Sequence, residues 1–261
     1  MDKIECMRRD WDARAAKDAF YYIATWRNDW DVPGFFKSGE EDYERLVAPT
    51  LDRFAFAPAG KSMLELGCGA GRMTHAFARH FSYVTAVDVS MQMLDRAKEL
   101  LPGVENICWK QANGADLNDT PGSSVDFVFS YLVLQHLPNE RLVRGYIREM
   151  VRVLKVSGVC LFQFNGSEKP TMNWKGRLVW SFIDGLWVIH LAELSRLVAR
   201  WLGLDPAMVG KSWRGTEMTT QRVIEAVNAS GGTVLELSGE GTPMTWCCAR
   251  KLARSSANDG S

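Results

Sequence analysis

The chain has 261 residues, 46% of them hydrophobic, which is enough for one sizeable core and one domain with additions. Its 31 basic and 31 acidic residues cancel, so no overall basic field marks it as a nucleic-acid binder. The opening Met1-Asp2-Lys3-Ile4-Glu5 is charged and no apolar run follows it, so no secretory signal is expected and the cytoplasm is the expected compartment. Cys6, Cys68, Cys108, Cys160, Cys247 and Cys248 form no C-x-x-C pair, and the four histidines complete no zinc spacing. Reduced, mostly buried thiols and no metal site are the expectation.

Residues 1–58 read as a helical cap. A first helix is predicted over 8–27, with Trp11, Ala15, Ala19, Tyr22, Ile23 and Trp26 at helical spacing, and a second over 40–57, with Tyr43, Leu46, Val47, Leu51 and Phe54. Between them, Trp30-Asp31-Val32-Pro33-Gly34 is a turn signal. The stretch from Met63 to Arg72 then sets the frame. A short apolar run ends in an acid, three glycines follow at alternate positions, and a helix begins near 71. Glycines there let the backbone turn sharply and let a ligand approach the main chain. The dinucleotide fingerprint G-x-G-x-x-G fails, because counting from Gly67 its third glycine position holds Arg72.

A second strand, 83–88, ends in Asp88, and Ser90 is the predicted cap of a helix buried through Met91, Leu94, Ala97 and Leu101. An acid at that strand end can accept hydrogen bonds from ribose hydroxyls or serve as a turn residue. Strands three (105–109), four (125–130) and five (159–164) follow, with a helix at 139–154. Residues 167–216 hold Trp174, Trp180, Trp187, Trp201 and Trp213 and a helical stretch from 178 to 204. Asp184, Glu193, Arg196 and Arg200 interrupt it, so a core or interfacial helix pair fits better than a spanning helix, and no stable membrane insertion is expected. The segment reads as a lid over the substrate or as a homodimer interface. Residues 217–254 supply a helix after Thr219 or Thr220 and two strands, 233–237 and 244–251, joined as a hairpin. The polar tail, 255–261, is expected to be disordered.

The spacing E-x-G-x-G-x-G from Glu65 to Gly71 resembles the glycine loop of class I S-adenosylmethionine-dependent methyltransferases. A second block is similar to the small-molecule members of that family: D-x-V-x-x-x-x-x-L-x-H, carried by Asp126, Val128, Leu134 and His136. Arg152-Val153-Leu154-Lys155 before Ser157-Gly158 resembles the family's R-x-L-K-P-G-G turn, with Val156 and Ser157 in place of Pro and Gly. The resemblance covers about residues 60–165 well, within an α/β core read over 59–166, and 217–251 by architecture only. It implies a Rossmann-like, seven-stranded, mostly parallel sheet with one antiparallel strand. It also implies methyl transfer from S-adenosylmethionine, leaving S-adenosylhomocysteine, to an O, N, S or C nucleophile of a small metabolite. The aromatic content suggests an apolar or aromatic acceptor.

That resemblance places Glu65, Gly67, Cys68, Gly69 and Arg72 at the methionine end of the cofactor and Asp88 at the ribose. Val89 and Met93 then fall near the adenine, with Asn113 and Gly114 at its amine, Asp116 being the competing assignment, and Ser130 beside the methionine portion. His136 frames the cofactor, acts as a general base or is structural; Tyr21 is the other candidate base. Tyr22, Trp174 and Trp213 are the candidate substrate contacts. Two other readings stay open: a non-catalytic protein that binds the same cofactor, and an NAD(P) oxidoreductase.

Overall fold

The computed structural model describes residues 3–167, 174–188, 191–204 and 215–253. Helix α1 (Lys3–Ile23) begins before the apolar periodicity predicts. It contains one extended residue, Asp18, whose carboxylate accepts from the Tyr21 N–H at 3.0 Å and so caps a second helical piece. Asp31 caps α2 (Val32–Asp42) through the Gly34 N–H, with Pro33 in the first turn. A wide π-helical turn, Tyr43–Val47, then leads into α3 (Ala48–Arg53). The single helix predicted over 40–57 is therefore divided. Pro49 has no N–H to continue the regular ladder, and the chain widens just ahead of it.

The core alternates strand and helix: β1 (Ser62–Leu66), α4 (Thr74–His80), β2 (Tyr83–Asp88), α5 (Met91–Leu100), β3 (Ile107–Gln111) and β4 (Val125–Ser130). A short 3₁₀ turn at Leu134–His136, α6 (Glu140–Val153) and β5 (Leu154–Phe164) follow. Two further helices, α7 (Trp174–Val188) and α8 (Ala192–Trp201), precede α9 (Thr220–Ala229), β6 (Gly232–Ser238) and β7 (Thr245–Lys251). The sheet order is β3-β2-β1-β4-β5-β7-β6, parallel except for β7, which runs antiparallel to both of its neighbours. This is the seven-stranded sheet that the resemblance implies.

Alternation along the strands builds two cores, one on each face. Leu64 and Leu66 join α6 and α9 on one side; Met63, Phe127 and Phe129 join α4 and the π turn on the other. The adjacent pair Cys247-Cys248 follows the same rule: Cys247 enters the first core and Cys248 the second. Burial pushes both thiols up, as befits packing groups. Strand β5 starts earlier than predicted, running through Ser157 in the left-handed region (φ 65°), where the resembled turn carries glycine.

Candidate functional site

Between β1 and β4 the strand order reverses, and open α/β sheets bind ligands in the crevice beyond the strand ends at such a point. A cavity of about 340 Å3 lies there. Its walls come from the glycine loop, from the end of β2 and the start of α5, from α1, and from the 131–137 segment after β4.

The loop is held by β2: the Gly67 and Cys68 N–H groups donate to the Val87 carbonyl at 2.7 and 3.1 Å. Gly67 and Gly69 both have positive φ, and a Cβ at either would run into Val133 or Ile23. Asp88 then locks the loop, accepting from the Gly69 N–H at 2.8 Å with one oxygen and from the Ser90 N–H at 2.9 Å with the other. Burial pushes its carboxyl up to about 6 in spite of these bonds. Glu65 is buried at the end of β1 and accepts from the Thr74 hydroxyl at 2.6 Å. Burial pushes it up to about 7, with Thr74 and Arg72 pulling the other way. Burial also pushes the Cys68 thiol up, which makes it a poor nucleophile.

Arg72 spans from the glycine loop to α2. It pairs with Asp42 at 2.7 Å, donates to the Ser38 carbonyl at 3.1 Å and lies under the Trp26 ring at 5.2 Å. It is almost fully buried and lines the cavity, yet its Nε has no hydrogen-bond partner in the protein. A buried guanidinium with an unused donor suits an anionic ligand group. The two carboxyl groups suit a cation and hydroxyls. One cavity thus offers matching partners for a zwitterionic amino acid joined to a ribose.

At the other end an amide chain orders the 131–137 segment. Leu132, at a left-handed φ of 58°, donates its N–H to Gln163 Oε1 at 3.1 Å. Gln163 Nε2 donates to the Pro243 carbonyl at 2.6 Å and to Gln135 Oε1 at 2.9 Å. Gln135 Nε2 then faces His136 Nε2 at 3.2 Å. An amide nitrogen can only donate, so the chain assigns His136 Nε2 as the acceptor and fixes the tautomer from a distance. The His136 ring also meets Trp11 edge to face at 5.4 Å.

The cavity gathers Glu65, Gly67, Cys68, Gly69, Arg72, Asp88, Val89, Met93, His136 and Tyr22. Four sequence candidates stand outside its wall. Asn113 spends its side chain on its own turn, accepting from the Ala115 and Asp116 N–H groups and donating to the Asp116 carboxylate; Ala112 is the wall residue there. Gly114 packs against Ile4 of α1. The Ser130 hydroxyl is buried and donates to the Leu66 carbonyl at 3.2 Å. Tyr21 lies beside Tyr22, not on the wall. Trp213 and the Trp174 side chain fall outside the described residues, and no described side chain of α7 or α8 lines the cavity. Tyr131 and Tyr146 do line it and were missed. Tyr131 directly follows a strand end, which is a usable signal; Tyr146 reads in sequence as part of the buried stripe of α6.

A nucleotide-type crevice with an acid-locked glycine loop defines the class: a Rossmann-like ligand-binding α/β fold with an antiparallel closing strand. Residues 64–162 match a family described as methyltransferase domain, and the chain is similar in fold to solved S-adenosylmethionine-dependent methyltransferases. It is 35% identical over 107 residues to a demethylmenaquinone methyltransferase of Tropheryma whipplei (strain Twist), covering 40% of this chain and 43% of that one. It is 32% identical over 137 residues to a trans-aconitate 2-methyltransferase of Azoarcus sp. (strain BH72), covering 51% and 50%. The chain thus spans about half the length of these relatives. The fold matches the magnesium protoporphyrin IX methyltransferase (ChlM) of Synechocystis PCC 6803, solved with bound S-adenosylmethionine. The TM-score is 0.60 at 14% identity, over 96% of this chain and 98% of that one.

Proposed function

We propose that this chain is an S-adenosylmethionine-dependent methyltransferase acting on a small, apolar or aromatic acceptor. The observation that carries the reading is the convergence of Glu65, Arg72 and Asp88 on one cavity with the glycine loop between them. Glu65 would hold the ammonium of the cofactor, Arg72 Nε its carboxylate and Asp88 its ribose hydroxyls. Bound there, the cofactor supplies an electrophilic methyl carbon. The protein's part is to hold the acceptor in line with it and to exclude water, so that proximity supplies much of the acceleration. Trp11, Tyr22, Tyr131 and Tyr146 give the cavity an aromatic lining suited to a flat or apolar molecule. The relatives named above act on acceptors as different as a quinone and a carboxylic acid, so the aromatic wall carries this part of the reading. His136 shapes the wall, and it can take a proton from an acidic acceptor hydroxyl only by giving up the Gln135 contact at its acceptor nitrogen.

The dinucleotide alternative is disfavoured at Arg72. This residue stands at the position where that fingerprint requires its third glycine, counted from Gly67. The decisive test is calorimetric titration with S-adenosylhomocysteine, with NADH in parallel, on wild type and Asp88→Ala. The reading expects product binding that weakens roughly tenfold or more in the variant, the scale of hydrogen bonds to a charged group. NADH binding in place of S-adenosylhomocysteine binding would overturn it. A methyl-transfer assay with quinol and phenol acceptors then separates an enzyme from a protein that only binds the cofactor.

A further inference from the structure

Helices α7 and α8 present apolar surface on two sides. One side joins the pair: Trp180 and Ile183 of α7 are buried against Ala199 of α8, with Val198 and Leu204 alongside. Other apolar residues of both helices are exposed. Along α7, Leu178 and Phe182 are each 62% exposed, one helical turn apart. Along α8, Leu194, Leu197 and Trp201 recur at helical spacing, and Leu197 and Trp201 are 57% and 84% exposed. Among the described residues, the main packing partner of each helix is the other. Large apolar residues exposed at helical spacing on both helices mark a docking surface.

Charge says what the surface docks on. The chain as a whole is neutral, but α7 and α8 carry Lys175, Arg177, Arg196 and Arg200 against only Asp184 and Glu193. Exposed Leu, Phe and Trp at helical spacing, in helices whose sequence carries a basic excess, is the composition of a segment that lies in the headgroup region of an anionic bilayer. Neither helix is long and apolar enough to cross a membrane.

The pair is also tied to the cavity. The segment that leaves β5 and the one that returns to α9 are bridged at Asn165 and Glu217, with the Met218 N–H donating to the Asn165 carbonyl at 2.9 Å. Thr216 bonds twice to the cavity segment, to the Gln135 carbonyl at 2.9 Å and the Leu137 carbonyl at 2.7 Å.

We propose that α7 and α8 dock this protein on the surface of an anionic phospholipid bilayer, from which a lipophilic acceptor reaches the cavity. The docking stands on the exposed apolar residues and the basic excess alone; only the acceptor's route rests on the methyltransferase reading.

The test is co-sedimentation of the whole chain with vesicles of phosphatidylcholine alone and of an equimolar mixture with phosphatidylglycerol. The variant is Leu197→Glu/Trp201→Glu, whose positions are exposed and outside the cavity, so its melting temperature and S-adenosylhomocysteine titration check that it folds. The expected result is binding to the mixed vesicles, weakened by salt, and lost by about tenfold or more in the variant, since it removes two apolar anchors and adds two like charges to the lipid. Equal binding to both vesicle types would overturn the anionic surface. No vesicle binding, together with a dimer in sedimentation velocity that the variant dissolves, would overturn docking in favour of a second copy of the chain. Failure of the cofactor titration with vesicle binding intact would sink the methyltransferase reading and leave the docking standing.

Discussion

Asp88 ties the glycine loop to the start of α5 and is the proposed ribose ligand, so its protonation should be measurable. Its carboxyl is pushed up to about 6, chiefly by burial. For an acid raised in the folded state, ionisation costs stability: the cost is absent where both states are protonated, grows as pH rises from the ordinary carboxylate value, and is complete above about 6. Ribose hydroxyls donating to Asp88 reverse the preference, because they favour the ionised form. S-adenosylhomocysteine binding is therefore expected to weaken as pH falls below 6, approaching about tenfold per unit, and to release a proton there but not at pH 8. Titrations in buffers of different ionisation enthalpy measure that proton directly. Asp88→Asn should bind weakly with a flatter profile; a slope as steep as that of wild type would move the titrating group elsewhere, Glu65 being next in line.

At the scale of elements, the segment after β4 depends on a residue two strands of argument away. Gln163 is fully buried on β5 and serves the Leu132 N–H, the Gln135 amide and the Pro243 carbonyl at once. Leu132 holds a backbone conformation that costs a branched side chain free energy, and it lines the cavity. Gln163→Leu removes three hydrogen bonds to partly buried or exposed partners, a loss of about 1–3 kcal/mol. It should also free the Gln135–His136 pair. The expected split is a lower kcat for methyl transfer with S-adenosylhomocysteine affinity within about threefold of wild type, since the glycine loop is untouched. Equal loss of both would mean that the substitution disturbs the whole sheet. None of this network is visible in the sequence, because its members are joined only by the fold. The glycine loop, Asp88 and the Ser90 cap were legible, because each acts on neighbours within a few positions or at a strand end. Asn113 and Ser130 lie off the cavity wall for the converse reason: both sit near strand ends, but their side chains are taken by their own turn and by β1. The sheet and its closing hairpin were legible from alternation and glycine punctuation; the π turn was not, since Pro49 sits inside an otherwise helical pattern.

For the molecule as a whole, the question is what closes the cavity. Met7, Trp11, Tyr22 and Ile23, all of α1, form one wall of it. Among the links of the helix to the core, Ser90 donates to Asp12 at 2.6 Å, and Arg8 donates to the Asn113 carbonyl at 3.3 Å. The helix is also interrupted at Asp18, between Trp11 and Tyr22. The sheet, in contrast, is buried on both faces. Local opening free energies should therefore differ, with α1 opening well below the global transition. A ligand that contacts α1 and the glycine loop together selects the closed arrangement and stabilises it by mass action, by about 2.7 kcal/mol at a hundredfold excess over Kd. Hydrogen exchange with and without saturating S-adenosylhomocysteine is the measurement. Protection should rise most across 3–23 and 65–73, while β4 and β5, already slow, change least. If protection rose in the glycine loop but not in α1, the cofactor would be held by the sheet alone. The helix would then answer to the acceptor, and repeating the exchange with a quinol present would show the α1 signal that the cofactor by itself did not produce.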